Sequence, residues 1–258
     1  MAGHSKWAQI KRQKAVKDVK KGQTFARYAR EIMVATKMGG PDPDGNFRLR
    51  TAIDHAKAAG LPNDNIKRAI EKGQGIGGTD NLASLRYEGY GAGGVAIMVE
   101  ALSENRNRTA GDIRSYFNKY DGNLGAEGCV AWMFDEIGLI RIPANGLEEA
   151  TLLDLVLEVG AEDIHNVADE AVFEIVTPPE ALNRVCQALT LKQPSVIIQS
   201  AEITRKPKNI NEVTELDTAK KLLKLLNTLE SHDDVQAVHA NVTMDDELVV
   251  QALFVAGH

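Results

Sequence analysis

Residues 137–142 read IGLIRI, and they begin the most regular pattern in the chain. The apolar residues there favour a buried strand, and alternating helix and strand patterns follow it as far as Ile203. In order, these later elements are a helix, two short strands, a helix and a final strand, at Leu147–Val159, Ile164–Ala168, Ala171–Val176, Pro178–Leu191 and Val196–Ile203. The order βαββαβ predicts a ferredoxin-like domain over residues 137–204.

The segments on either side of this domain supply strands and helices that have no partner close by in sequence. They are a strand at Val95–Glu100, a helix at Thr109–Lys119, a strand at Val130–Phe134, a helix at Leu216–Leu229 and a strand at Val235–Val242. Counting elements predicts that residues 79–136 and 205–246 form a second α/β domain, with residues 137–204 inserted into it. Residues 247–258 are left as a C-terminal tail.

Three helical patterns precede these domains and occupy residues 23–78. Apolar residues recur in each at intervals of three and four, the period of a helix with one buried face. The predicted helices run from Phe25 to Thr36, from Phe47 to Ala56, and from an N-cap at Asn63 to Gly73. The predicted fold class is therefore α+β and multidomain, with a basic arm and a three-helix bundle followed by two α/β, ferredoxin-like domains.

Two glycine-rich stretches resemble phosphate-binding loops without meeting their requirements. GQGIGGT, residues 73–79, follows no predicted strand and has no Lys after its last glycine, so it is interpreted as a linker. GYGAGG, residues 89–94, comes before a strand, whereas a dinucleotide-binding fingerprint follows a strand and opens a helix. A tight turn or close backbone packing is the better interpretation there.

The first 22 residues, MAGHSKWAQIKRQKAVKDVKKG, form a basic arm in which seven Lys or Arg residues are opposed only by Asp18. Their irregular spacing fits no single helical face, so they offer charge rather than packing. A polyanion is the natural partner, because each cation that neutralises a phosphate releases condensed counterions. Trp7 adds an indole that can stack on an unpaired base. The alternative is a flexible cationic terminus with one residue tucked back on the body.

Charge is distributed unevenly along the chain. Residues 1–78 contain 16 Lys and Arg against 7 Asp and Glu, whereas the remaining 180 residues contain 14 against 29. The net charge of −6 therefore hides a basic end and an acidic body. Such asymmetry orients a molecule on a polyanion with the basic end facing it. Membrane attachment is less favoured, because the arm has no sustained apolar stripe.

Four motifs connect the chain to a known family. They are GHSKW at Gly3–Trp7, YEGYGAGGVAIMVEAL at Tyr87–Leu102, NRNRTAGDIRSYF at Asn105–Phe117 and NLGAEGCVAWMF at Asn123–Phe134. In these motifs and their order, nearly the whole chain resembles the YebC family, which includes the mitochondrial translational activator of cytochrome c oxidase subunit I. It departs from the family pattern at Gln9, Arg12 and Gln13, where Asn, His and Arg are commoner, and at Ala92, where Pro is expected.

The resemblance implies a helical N-terminal domain, two α/β domains of which the third is inserted in the second, and a role in regulating gene expression. Some members are described as DNA-binding transcriptional regulators. Others are described as ribosome-associated translation factors that relieve stalling on difficult nascent sequences such as consecutive prolines. A short arm with one stacking Trp suits unpaired RNA bases somewhat better than duplex DNA, while the family description keeps DNA open. No helix-turn-helix pattern adds base-specific recognition.

We predict a non-enzymatic, nucleic-acid-binding regulator that requires no cofactor and no metal. The residues predicted to contact DNA or ribosomal RNA are Gly3, His4, Ser5, Lys6, Trp7, Lys11, Arg12, Lys14, Lys17, Lys20, Lys21, Arg27 and Arg30. Other cations on the helices could extend this surface, namely Lys37, Arg48, Arg50, Lys67 and Arg68. The acidic α/β domains are expected to offer surfaces to protein partners, and the sequence predicts no oligomeric state.

Enzymatic chemistry finds little support in the sequence. The six histidines form no HExxH motif and have no Cys partners at zinc spacing. Cys129 and Cys186 are both expected to be core residues. A metal-dependent nuclease and a pure protein-interaction scaffold remain as alternatives from other functional classes. In the NRNRT segment, Thr109 is predicted to cap a helix, and Arg106 and Arg108 could equally face phosphates or the acidic domain.

Composition bears on the cellular compartment. The sequence shows no apolar run near the roughly 20 residues that span a bilayer and no secretory signal pattern. Two cysteines in 258 residues make no disulfide framework, which fits a reducing environment. We therefore expect a cytoplasmic protein with no membrane partner.

Overall fold

The computed structural model describes residues 21–75, 83–103, 105–144, 149–194 and 196–254. The helices are α1 (Lys21–Gly39), α2 (Phe47–Ala58), α3 (Asn63–Gly73), α4 (Arg106–Lys119), α5 (Glu149–Glu158), α6 (Leu182–Lys192), α7 (Leu216–Ser231) and α8 (Asp246–Phe254). The strands are β1 (Ala83–Tyr90), β2 (Ala96–Ser103), β3 (Asn123–Leu124), β4 (Phe134–Pro143), β5 (Asp163–Val167), β6 (Val172–Thr177), β7 (Ser200–Pro207), β8 (Asn211–Glu212), β9 (Val235–Ala240) and β10 (Val242–Thr243).

The chain forms two compact units. The described parts of residues 21–78 and 136–205 make up the first unit, and those of residues 79–135 and 206–258 make up the second. The chain thus leaves the second unit after Asp135 and returns to it at Lys206. The predicted α+β class, with a helical region followed by sheet-containing regions, is confirmed.

Helices α1 to α3 begin the first unit and form the predicted three-helix bundle. Their apolar faces meet in a core that includes Ile32, Leu49 and Ala56, all fully buried. One detail of the prediction is wrong: Asn63 is the first residue of α3 and not its N-cap. Pro62 takes the cap position with φ −60°, and no side chain caps this end of the helix.

Asn46 joins the end of α1 to the start of α2. Its Oδ1 accepts the backbone N–H of Leu49 at 3.0 Å, and its Nδ2 donates to the carbonyl oxygens of Ala35 and Gly40 at 2.8 and 2.9 Å. One buried amide thus bonds one N–H at the start of α2 and two carbonyl oxygens near the end of α1. A Cβ on Gly39 would lie 2.6 Å from this Nδ2, so the close approach requires glycine.

The rest of the first unit is a four-stranded sheet with helices α5 and α6. The strand order is β5-β6-β4-β7, and β6 runs antiparallel to both β4 and β5. Phe173 and Ile175 of β6 pack with Leu182 of α6 in a buried apolar core. Phe47 of α2 packs against the same core, and its backbone N–H donates to Oδ1 of Asn183 at 3.2 Å. The final strand is Ser200–Pro207 and not Val196–Ile203 as predicted, so only residues 200–203 belong to both.

The second unit contains a sheet in the order β3-β1-β2-β9, in which β2 runs antiparallel to β1 and β9. A core around Val99, Phe117 and Leu222 fills the space between this sheet and the helices. Ala96 and Met98 point to the opposite face of β2, where Val130 and Phe134 cover them. Strands β8 and β10 form a separate parallel pair. Strand β2 is therefore buried on both faces, which explains its nearly continuous apolar sequence.

The turn between β1 and β2 confirms the close packing predicted for GYGAGG. A Cβ on Gly91 would lie 2.9 Å from side-chain atoms of both Ile97 and Leu222. Gly93 and Gly94 have φ of +73° and +71°, a backbone conformation that side chains disfavour. These glycines shape a structural turn that closes onto the core.

Besides the two-residue strands β3 and β8, which were not predicted, the second unit differs from the sequence prediction in three elements. Strand β1 was not predicted, because a stretch that contains Glu88 and Gly89 has low strand propensity, and its eight-residue pairing with β2 decides its conformation. The predicted strand at Val130–Phe134 is wrong, since Ala131–Met133 form a 3₁₀ turn and β4 starts only at Phe134. The C-terminal residues include α8 where a tail was expected, because Val249 and Ala252 pack into the same core as α7.

Candidate nucleic-acid interface

The predicted contact residues of the basic arm lie outside the described residues. They are Gly3, His4, Ser5, Lys6, Trp7, Lys11, Arg12, Lys14, Lys17 and Lys20. The remaining three, Lys21, Arg27 and Arg30, all belong to α1, and Arg30 is half-buried. Arg27 and Arg30 are about one helical turn apart. The structure thus places the described end of the predicted set on a single helix.

The cations on α2 and α3 divide into two groups. Arg50 is tied to the preceding loop, because its Nη2 lies 3.3 Å from Oδ1 of Asp44 and its Nε donates to the carbonyl oxygen of Pro43 at 3.1 Å. Arg48 contacts the Met38 sulfur at 3.2 Å, and Lys37 also has an internal partner. These three predicted residues therefore already serve local structure.

The second group consists of exposed cations that the described residues do not neutralise. Lys67 and Arg68 lie on α3, between the buried positions Ile66 and Ala69. The ion pairs formed within the described part of the chain involve neither of them, nor Lys57 and Lys72, which the sequence analysis did not select. Such side chains remain available to a phosphate.

In the NRNRT segment, Arg108 makes a contact within the second unit. Asn105 caps α4, since its Oδ1 accepts the backbone N–H of Arg108 at 3.1 Å. The prediction that Thr109 caps this helix is wrong, because Thr109 is buried inside its first turn. Nη2 of Arg108 lies 2.6 Å from Oδ2 of Asp234, whereas Arg106 is exposed.

Asp234 is the common hydrogen-bond acceptor for three polar side chains of the second unit. Its Oδ2 accepts hydrogen bonds from Arg108 at 2.6 Å, Thr109 at 2.7 Å and Ser103 at 3.1 Å. Burial by itself raises the pKa of this carboxyl, but the three hydrogen bonds outweigh it and hold the pKa of Asp234 below its usual value. The cluster is thus a saturated structural network.

His232 lies beside this cluster without the geometry of a catalytic base. Its Nδ1 accepts the backbone N–H of Asp234 at 3.0 Å, so Nε2 carries the proton and faces Oδ2 of Asp112 at 3.1 Å. Both ring nitrogens are occupied, and neither contacts a hydroxyl. The histidine fixes the turn that follows α7.

The two thiols are not activated. Cys186 is buried on α6, and burial raises its pKa to about 12. Burial also raises the pKa of Cys129, and the nearby Glu88 carboxylate raises it further. Both stay protonated near neutral pH and make poor nucleophiles. Within the described ranges, no three His, Cys, Asp or Glu side chains come together as a possible metal site.

One exposed aromatic residue escaped the sequence analysis. Trp132 has 63% of its surface exposed, although the predicted strand would have placed it on the buried side with Val130 and Phe134. A strand alternates sides every residue, whereas a 3₁₀ turn rotates about 120° per residue and directs Trp132 away from its neighbours. Only the backbone conformation reveals this residue as a surface feature.

Comparison with known proteins extends over nearly the whole chain. A model of the TACO1/YebC N-terminal domain matches residues 5–76, and a model of the TACO1/YebC second and third domain matches residues 82–242. The chain belongs to the TACO1/YebC family. The resemblance recognised in its motifs is therefore confirmed.

Individual TACO1/YebC relatives are similar along their full length. A probable transcriptional regulatory protein of Nostoc sp. is 54% identical over 253 residues, which cover 96% of this chain and 98% of the relative. Another, from Cyanothece sp., is 50% identical over 256 residues, covering 98% and 100%. The crystal structure of a conserved hypothetical protein from Aquifex aeolicus superposes with a TM-score of 0.76 at 46% identity, covering 89% of this chain and 93% of that one. These names support the interpretation as a regulator of gene expression.

The helices were also searched for segments that could cross a bilayer. None of those in the described ranges is both long and apolar enough to do so.

Proposed function

We propose that this TACO1/YebC protein is a non-enzymatic, nucleic-acid-binding regulator of gene expression. The observation that carries the proposal is the family membership of the whole chain, combined with a basic end whose cations oppose an acidic body. The names of the relatives favour transcription over translation as the regulated process.

The proposed interface consists of the basic arm and the exposed cations of α3. Lys11, Arg12, Lys14 and Lys17 form the densest cationic stretch of the arm, and each can neutralise one phosphate. Trp7 would stack on an exposed base beside them. Lys67, Arg68 and Lys72 extend the same charge onto a folded surface, because their side chains are exposed and make no ion pair with the described residues.

The experiment measures binding of the full-length protein to labelled DNA and RNA between about 50 and 300 mM salt. Replacing Lys11, Arg12, Lys14 and Lys17 with Gln removes four positive charges from the arm. We expect the slope of log K against log salt to become shallower by about 0.9 for each duplex phosphate that the variant no longer neutralises, or by about 0.7 for each phosphate of a single strand.

A matched control removes the same charge from the second unit. Arg114, Lys119, Lys220 and Lys224 lie on α4 and α7 of the second unit, and all four are changed to Gln. We expect this variant to keep the slope of the unchanged protein. Equal slopes for the two variants, or no nucleic-acid binding by the unchanged protein, would overturn the proposal.

The proposal also covers activity and location. We expect no turnover of labelled RNA or DNA by the purified protein with magnesium, since no activated nucleophile or metal cluster occurs among the described residues. A cytoplasmic location is proposed because Cys129 and Cys186 are both free thiols. Fractionation of a lysate into ribosomes and nucleoid tests which nucleic acid the protein accompanies.

A further inference from the structure

Trp132 stands on the surface of the second unit in a fixed orientation. Its indole Nε1 donates a hydrogen bond to the carbonyl oxygen of Cys129 at 3.1 Å. The hydroxyl of Tyr90, a residue that is 36% exposed, donates to the same oxygen at 3.1 Å. The polar edges of two aromatic rings therefore converge on one backbone atom.

The backbone beneath the indole is held from several sides. Glu88 is 1% exposed, and its Oε2 accepts the backbone N–H groups of Val130 and Ala131 at 2.9 and 2.8 Å. Burial raises the pKa of Glu88, but these backbone hydrogen bonds outweigh it and lower the pKa, so the carboxylate stays charged. On the other side, Lys208 donates its backbone N–H to the carbonyl oxygen of Met133 at 2.8 Å. The backbone that carries Trp132 is thus preorganised.

This arrangement leaves only the ring faces of Trp132 for a ligand. A carbonyl oxygen has two lone pairs, and the two aromatic donors occupy both on Cys129. With its N–H satisfied internally, the indole has nothing to offer except apolar and π-electron contact. A large, rigid, exposed aromatic surface of this kind is the element on which nucleic-acid bases stack.

One cation near Trp132 and Tyr90 is available to the backbone of an anionic ligand. Arg86 lies on the same face of β1 as Tyr90, close enough to act on the charge of Glu88. Nζ of Lys208 lies 3.0 Å from Oδ1 of Asp135, which neutralises that carboxylate. Lys208 is thereby engaged by Asp135, and Arg86 is the exposed cation here that makes no ion pair with a described residue. Glu127, two residues before Cys129, is an exposed carboxylate that opposes an anion.

We propose that Trp132 and Tyr90 form a stacking platform for an unpaired base of single-stranded nucleic acid. The platform is a second contact, separate from the basic arm, and the inference rests on the proposed function in that its ligand is nucleic acid. It adds base stacking to an interaction in which the arm mainly contributes positive charge.

The chain's two tryptophans make a direct test possible, because Trp7 and Trp132 are its only indoles. In a full-length Trp7→Phe variant, Trp132 is the only tryptophan that fluoresces. A 12-nucleotide single-stranded RNA of mixed sequence, the matching DNA strand and their duplex forms are the probes. We expect the single strands to quench the emission in a saturable way, and the duplexes to quench it much less.

Affinity measurements separate the platform from the arm. We expect Trp132→Ala to weaken single-strand binding by about tenfold, and Trp132→Phe to retain much of the affinity because a phenyl ring still stacks. Neither change removes a charge, so the salt slope stays that of the unchanged protein. Glu127→Gln should strengthen binding slightly. Thermal melting of each variant checks that the exposed position tolerates the substitution.

The outcomes distinguish this inference from the function on which it rests. If the unchanged protein binds single strands while Trp132→Ala binds them equally well and Trp132 emission does not change, the platform is wrong and the regulator proposal stands. If the unchanged protein binds no nucleic acid, both fail. Quenching that is equally strong with duplex probes would also reject a base-stacking role.

Discussion

Among the side chains described in the helical region at residues 21–75, the buried polar ones, Thr36 and Asn46, are uncharged, and the exposed α3 cations Lys67 and Arg68 make no ion pair with described residues. In the second unit, by contrast, the carboxylates of Glu88 and Asp234 are buried and hold backbone or side-chain donors from distant segments. Burying a charge is costly unless it is paired, so a buried carboxylate fixes the segments that pair with it. The buried carboxylates of the second unit therefore stabilise its fold, whereas the exposed cations of α3 remain available for binding.

The largest expected effect on stability comes from removing the buried carboxylate of Glu88, which tests its structural role. Glu88→Ala leaves the buried N–H of Val130 and the partly buried N–H of Ala131 without an acceptor, so we expect the free energy of unfolding to fall by about 3 kcal/mol. Glu88→Gln keeps an acceptor oxygen and should cost less. Urea denaturation of the full chain measures both. A Glu88→Ala protein as stable as the unchanged one would show that this carboxylate is dispensable.

A substitution of Asp234 is expected to have a smaller effect on stability, and that effect should depend on pH. We expect Asp234→Asn to lower the free energy of unfolding by about 2 kcal/mol at pH 7, because a charged acceptor of three hydrogen bonds becomes a neutral one. The folded-state pKa of Asp234 lies below the unfolded value of about 3.9, so its stabilisation is present above that pH and is lost as the pH falls through the folded pKa.

The measurement for Asp234 is the urea midpoint of both proteins from pH 7 down to pH 3. Their stabilities should converge as the pH falls, since the Asn side chain does not titrate. A constant difference across the range would contradict the assignment of this stabilisation to the charged carboxylate.

The smallest effect on stability compares two arginines directly. Arg108→Gln should lower the melting temperature and leave the salt slope of nucleic-acid binding unchanged, because Arg108 is held by Asp234. Arg68→Gln should do the reverse, with unfolding free energy within about 0.5 kcal/mol of the unchanged protein and a salt slope shallower by about 0.9. Identical behaviour of the two variants would remove the distinction between engaged and available cations.

Elements with a strong local pattern were predictable from sequence. The period of the apolar residues identified α1 to α3, and the βαββαβ order from IGLIRI onward identified the ferredoxin-like region. Strand β1 escaped because its residues have weak local preference, and its conformation depends on pairing with β2. At Ala131–Met133 the local pattern was ambiguous, since Val130 and Phe134 are both buried whether a strand or a 3₁₀ turn connects them.

The residues of the candidate interface also fall into a part that the sequence predicts and a part that only the structure shows. Its cations were recognisable because charge is a property of residue identity. For the basic arm, which lies outside the described residues, the contact role stays a prediction. Selecting among the cations required the structure, which shows Arg50 and Arg108 engaged by Asp44 and Asp234.

The sequence by itself determined the family, the basic N-terminal part, the acidic remainder and the helices with periodic apolar faces, because these depend on residue identity and local spacing. Only the tertiary structure decided which charges are buried and which aromatic side chain is exposed. Trp132 lies at the surface because Glu88, more than forty residues earlier, holds the turn that carries it. Contacts between residues so far apart in sequence leave no periodic signal, so folding alone creates that surface.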